Sequence, residues 1–176
     1  MKYLSESRTI GLLHSMKTGF AKTIRNGYEH RAKSCATCET PGACCLDAHF
    51  VNVRITRLEA VAIRRRLSDL APERRDVVNL RINEAIKKYG LTDREEASSK
   101  TYACPLFEKG IGCLVHEYGK PLSCIAHACY ERKEDLPPDE LLTEREIEVD
   151  RLNERVYGRA TQRLPLPIAI KISSSR

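Results

Sequence analysis

The chain has no tryptophan, only three phenylalanines and two methionines among its 176 residues. So few aromatics leave little material for the stacking platforms that hold single-stranded nucleic acid. No uninterrupted apolar run approaches the roughly 20 residues that a membrane helix requires. The patch Ile10-Gly11-Leu12-Leu13 stops at His14, too short for the apolar region of a secretory signal. A cytoplasmic protein with no membrane association is therefore expected. Familiar catalytic motifs are also missing. There is no glycine-rich phosphate loop, no G-x-S-x-G elbow, no H-E-x-x-H pair and no C-x3-C-x2-C signature. The sequence assigns no enzymatic reaction.

What remains is a soluble-type composition, 41% hydrophobic and 31% charged, which argues against wholesale disorder. A length of 176 residues suits one domain able to bury a real core. The net charge of +6 is unevenly spread. Met1 to Ser34 carries seven basic against two acidic residues, a net of +5, whereas Glu131 to Arg163 carries seven against ten, a net of −3. The basic segment is a candidate for contact with a polyanion or an acidic protein. A solvated surface is the simpler reading, and nucleic acid is not the expected partner. The Arg64-Arg65-Arg66 run reads in the same way, because adjacent helical residues fan out around the axis.

The eight cysteines are about 4.5% of the chain, below the roughly 8–10% of a disulfide scaffold. In a reducing compartment such clusters point to metal binding. They fall into two blocks. Cys35, Cys38, Cys44 and Cys45 form the first; Cys104, Cys113, Cys124 and Cys129 form the second. Cys35-x-x-Cys38 is a chelate loop in which two thiolates can share one metal. Cys44 and Cys45 follow the turn Pro41-Gly42, and adjacent side chains diverge, so the pair is expected to be inequivalent. In the second block, Cys104-Pro105 has the form of a cluster-ligand step in which Pro stiffens the loop. Gly110 and Gly112 allow close backbone approach before Cys113. Cys124 and Cys129 read as two thiols about one helical turn apart, with His127 between them. His116 and His127 are substitute ligands or, more simply, neighbours of the ligands. Asp47 and His49 beside Cys45 read as ordinary loop residues. All eight cysteines are candidate metal ligands, and Cys104, Cys113 and Cys124 are expected near the Cys44-Cys45 pair.

Between the blocks the chain reads as helical. Thr56 with Glu59 predicts a capping box that opens a helix over Arg57 to Leu70. Pro72 restarts the chain, and Val78, Ile82, Ala85, Ile86 and Tyr89 recur at helical spacing up to a stop at Gly90. A third helix is expected from Asp139 to about Arg163, with Val149, Leu152, Val156 and Ala160 inward. Phe50 to Ile55 alternates like a short strand, as do Ile168, Ile170 and Ile172, and the two runs are expected to pair. The N-terminal segment shows no clear period.

These residues resemble the CxxCxxCC, or YkgJ-like, cysteine-cluster family, described as zinc- or iron-chelating domains. The matching pieces run from Cys35-x-x-Cys38 and Cys44-Cys45 through Val53-Arg54-Ile55-Thr56-Arg57-Leu58-Glu59. They continue with Cys104-Pro105-Leu106, Gly112-Cys113-Leu114-Val115-His116 and Lys120-Pro121-Leu122-Ser123-Cys124. Here five residues separate Cys38 from Cys44 where the family name implies two. The resemblance implies metal chelation and leaves the biological role open. The family includes flagellin lysine methylases, but no motif here would bind a methyl donor.

The expected fold is mainly α, an α+β chain with very little β, as a single small domain whose Cys-rich loops are organised around a metal centre. Its parts are a basic segment 1–34, a cysteine-cluster region 35–130 with helical insert 56–90, and a C-terminal helix and tail 131–176. The expected cofactor is an iron–sulfur cluster, [4Fe–4S] in type, or zinc. The expected role is electron transfer, sensing or accessory metal binding. The alternative is a zinc-stabilised module that binds a polyanion or acidic protein partner. If the chain is an enzyme, the metal centre itself is the catalyst or electron carrier.

Overall fold

The computed structural model describes residues 3–33, 39–46, 51–93, 99–158 and 162–173. The chain is mainly helical with little strand, as the sequence predicts. It divides into two compact units, each built from two stretches of sequence: Met1–Pro41 with Lys120–Thr161, and Gly42–Gly119 with Gln162–Arg176.

In the first unit, α1 (Glu6–Gly27) packs on α5 (Leu122–Ala126) and α6 (Asp139–Tyr157). The segment with no clear period is thus a 22-residue helix. Ser5 caps it by accepting the Arg8 amide. Its buried stripe is Thr9, Leu13, Lys17, Phe20 and Ile24, and the two polar members hide the apolar period. Lys17 is buried because its ammonium donates to the Lys120 carbonyl at 3.0 Å. Its aliphatic stem can then cover apolar surface. The third expected helix is α6, with Val149 and Leu152 buried as predicted, but it stops at Tyr157 rather than near Arg163. Gly158, with a left-handed backbone, supplies its C-cap. Ala160 lies outside the described residues.

In the second unit the local signals hold. Thr56 and Glu59 form both halves of the capping box at the start of α3 (Arg57–Ser68). The Thr56 amide donates to the Glu59 carboxylate at 3.0 Å, and the Glu59 amide to the Thr56 hydroxyl at 3.3 Å. Helix α4 (Pro72–Tyr89) opens on its proline and ends at Gly90. Strand β1 is only Arg54–Ile55, and it pairs antiparallel with β4 (Leu164–Pro165).

The run Ile168, Ile170, Ile172 is not a strand. It belongs to α7 (Leu166–Ile172), in which Leu166 through Ile170 are all buried. Five consecutive buried residues show no period of their own, so periodicity cannot distinguish such a helix from a strand. Helix α7 packs on α3 and α4. The core joins Ile55, Ala60, Ile63, Val78, Ile82, Tyr102, Leu106, Val115, Leu166 and Ile170. Tyr102 is fully buried; its hydroxyl donates to the Val53 carbonyl and accepts the Leu166 amide at 3.1 Å. Both polar functions of the phenol are thereby satisfied inside the core.

Candidate metal centre

Six of the eight predicted ligands lie among the described residues, and all six are half-buried thiols. Cys35 and Cys38 lie outside the described residues, as do Asp47 and His49.

Cys44 and Cys45 sit on α2, a single helical turn over Ala43–Leu46. Gly42 starts that turn, and its carbonyl accepts the Cys45 amide at 2.9 Å and the Leu46 amide at 3.0 Å. Neighbouring positions on a helix are about 100° apart, so the two thiols leave the turn in different directions. The fold regroups this pair. Cys44 and Cys45 share a unit with Cys104 and Cys113, whereas Cys124 and Cys129 belong to the other. The Cys104 amide donates to the Cys45 carbonyl at 2.7 Å. The Cys104 carbonyl then accepts the Phe107 amide at 3.3 Å, closing a turn around Pro105. That turn leads into the hairpin of β2 (Phe107–Glu108) and β3 (Gly112–Cys113), where Phe107 lies opposite Cys113. Cys104 and Cys113 both pack against the apolar core.

A second tie to the same segment involves Gly42. It has φ +84°, a left-handed conformation natural for glycine, and the Phe107 ring lies where a Cβ would stand. Sequence reasoning treats Pro41-Gly42 as a turn and overlooks Phe107. The turn dipeptide was the available signal, but nothing local reveals the aromatic partner. Arg81 adds a further clasp by donating to the Phe107 carbonyl at 2.9 Å, and Arg74 and Arg81 both meet the Glu108 carboxylate.

In the first unit, Cys124 lies in α5 and Cys129 beyond its end. The expected spacing of one helical turn between them does not occur, because the helix ends at Ala126 with His127 as its cap. Cys129 instead forms a bridge with Lys33, whose amide donates to the Cys129 carbonyl at 3.0 Å. The Lys33 ammonium meets Glu131 at 2.6 Å. The His127 imidazole pKa is held below its ordinary value, chiefly by partial desolvation and then by the positive charge of Lys120. His116 is exposed beside the hairpin. Among the described residues, no group of three or more His, Cys, Asp or Glu side chains converges to hold a metal.

The basic segment is altered by folding. Lys17 and Phe20 are buried, Lys33 is paired with Glu131, and Arg25 lies 4.0 Å from Glu29. Arg31 stacks over Tyr28 at 5.6 Å. Arg8, Lys22 and Arg25 remain exposed on α1. No described helix is long and apolar enough to cross a membrane. No protein-family model matches this chain, and neither a curated protein nor a solved structure matches it.

Proposed function

We propose that this chain is a metal-binding protein whose centre is held by cysteine thiolates. The observation that supports the reading is the 2.7 Å backbone bond from Cys104 to Cys45, which brings together one cysteine from each block of the sequence. Donors that are nearly all thiols suit iron–sulfur clusters and zinc, not the oxygen-seeking cations. The leading cofactor is a [4Fe–4S] cluster, which takes four thiolates and tolerates irregular spacing. The Cys104-Pro105 step and the glycines before Cys113 support it. Zinc is the alternative, with one or two four-thiolate sites.

The ligands are drawn from Cys35, Cys38, Cys44, Cys45, Cys104, Cys113, Cys124 and Cys129. A bound cluster would supply one-electron chemistry, and zinc would supply folding energy. The role is electron transfer, sensing or accessory metal binding in the cytoplasm. The resemblance to the cysteine-cluster family supports the same chemistry. The competing reading is a zinc-stabilised module that docks a polyanion or acidic protein on α1, and it rests on the exposed Arg8, Lys22 and Arg25.

Anaerobic purification with elemental analysis and an absorption spectrum tests the proposal. A brown protein with iron, sulfide and absorbance near about 400 nm supports the cluster. A colourless protein with stoichiometric zinc supports the module. A chain with neither iron nor zinc overturns both.

A further inference from the structure

Two ties hold α2 against the segment that carries Cys104. At its start Gly42 lies against the Phe107 ring, and further along the Cys45 carbonyl accepts the Cys104 amide at 2.7 Å. With that bond made, covalent geometry limits the Cα separation of Cys45 and Cys104 to about 6.6 Å. Disulfides span Cα separations of roughly 4.4–6.8 Å, so the backbone separation of this pair lies within reach of a disulfide. Cys44 sits about 100° around the helical turn from Cys45. Both Cys45 and Cys104 are partly exposed residues and not part of any disulfide.

We propose that Cys45 and Cys104 form a reversible intramolecular disulfide, with glutathione disulfide as the oxidant. One cysteine thiolate attacks a glutathione sulfur, forming a mixed disulfide and expelling one glutathione thiolate. The second cysteine thiolate then attacks the protein sulfur of that mixed disulfide and expels the other. The two cysteine sulfurs lose two electrons, the glutathione disulfide gains them, and the two thiol protons go to the departing glutathiones. Excess reduced glutathione reverses both steps. A bridged pair has no thiolate to offer a metal, so oxidation also removes two candidate ligands. That regulatory consequence rests on the metal reading of the preceding subsection; the cross-link does not.

The test is peptide mapping of the whole 176-residue chain, chelated and reduced, then exposed to glutathione disulfide under native conditions. The Cys45–Cys104 peptide pair is expected as the dominant cross-link in the unaltered chain and in C44S, and it is expected to be lost in C45S. Thermal unfolding of each variant shows that it is folded during the exposure. No cross-link, or a dominant Cys44–Cys104 or Cys104–Cys113 bridge, overturns the proposal. Elemental analysis of the unchelated chain is read separately, so failure of the metal reading is not mistaken for failure of the cross-link.

Discussion

Phe107 occupies the space in front of Gly42 where any other residue would place its Cβ. This contact joins the turn that launches Cys44 and Cys45 to the hairpin that carries Cys113. Gly42→Ala therefore meets two penalties, a left-handed backbone and a collision with an aromatic ring. A loss of about 2–4 kcal/mol is expected from urea unfolding. Shortening the obstacle with Phe107→Leu in the G42A background should recover part of it. An unchanged midpoint for G42A would show that the clasp contributes nothing.

Metal content and stability should fall together when the chelate loop is removed. The double variant Cys35→Ser, Cys38→Ser is expected to lower metal stoichiometry and melting temperature in parallel, because metal binding free energy is also folding free energy. Plasma emission analysis and thermal unfolding measure the two quantities. Full metal content in the double variant would remove both residues from the centre.

Lys17 is a cation inside the interface between α1 and α5 of the first unit. Lys17→Ala removes both its stem packing and its bond to the Lys120 carbonyl, with an expected loss of about 1–3 kcal/mol. Lys17→Met keeps the volume and should lose less. Equal losses in the two variants would mean that packing of the stem is not part of its contribution.

Asp135 responds to acid. Its carboxyl pKa is held below the ordinary value, chiefly by hydrogen bonds from the Arg132 guanidinium, at 2.9 and 3.2 Å. A carboxylate with a depressed folded pKa contributes stability above its unfolded value, about 3.9, and loses it as the pH falls through the folded value. Asp135→Asn should therefore flatten the acid limb of the stability profile below about pH 4 and also lower stability at neutral pH. A profile identical to that of the unaltered chain would show no linkage.

If the basic segment binds a polyanion, the affinity should weaken steeply with salt, because neutralised phosphates release counterions. Replacing Arg8, Lys22 and Arg25 with glutamine should abolish binding to heparin or duplex DNA in a fluorescence titration. Binding that is unaffected by salt, or none at low salt, leaves these residues as solvated surface.

Where the information is local, the sequence reveals the fold. Thr56 and Glu59 mark the start of α3, Pro72 the start of α4 and Gly90 its end, because each signal acts within one helical turn. An apolar stripe carries less weight than a stop signal: Gly158 ends α6 earlier than its inner stripe suggests. The longest helix is hidden because Thr9 and Lys17 occupy its buried stripe, and their polar groups find partners only in the folded chain.

The number and spacing of the eight cysteines are read from the sequence alone and need no fold to be recognised. The tertiary structure decides their company. Sequence order groups Cys44 and Cys45 with Cys35 and Cys38, whereas the fold seats them in one unit with Cys104 and Cys113. That choice depends on a backbone bond between residues far apart in the chain and on an aromatic ring over a glycine. The fully buried Leu166 to Ile170 gives the same lesson. With every side chain inside, neither a period of two nor one of 3.6 is imposed, and packing on α3 and α4 selects the helix.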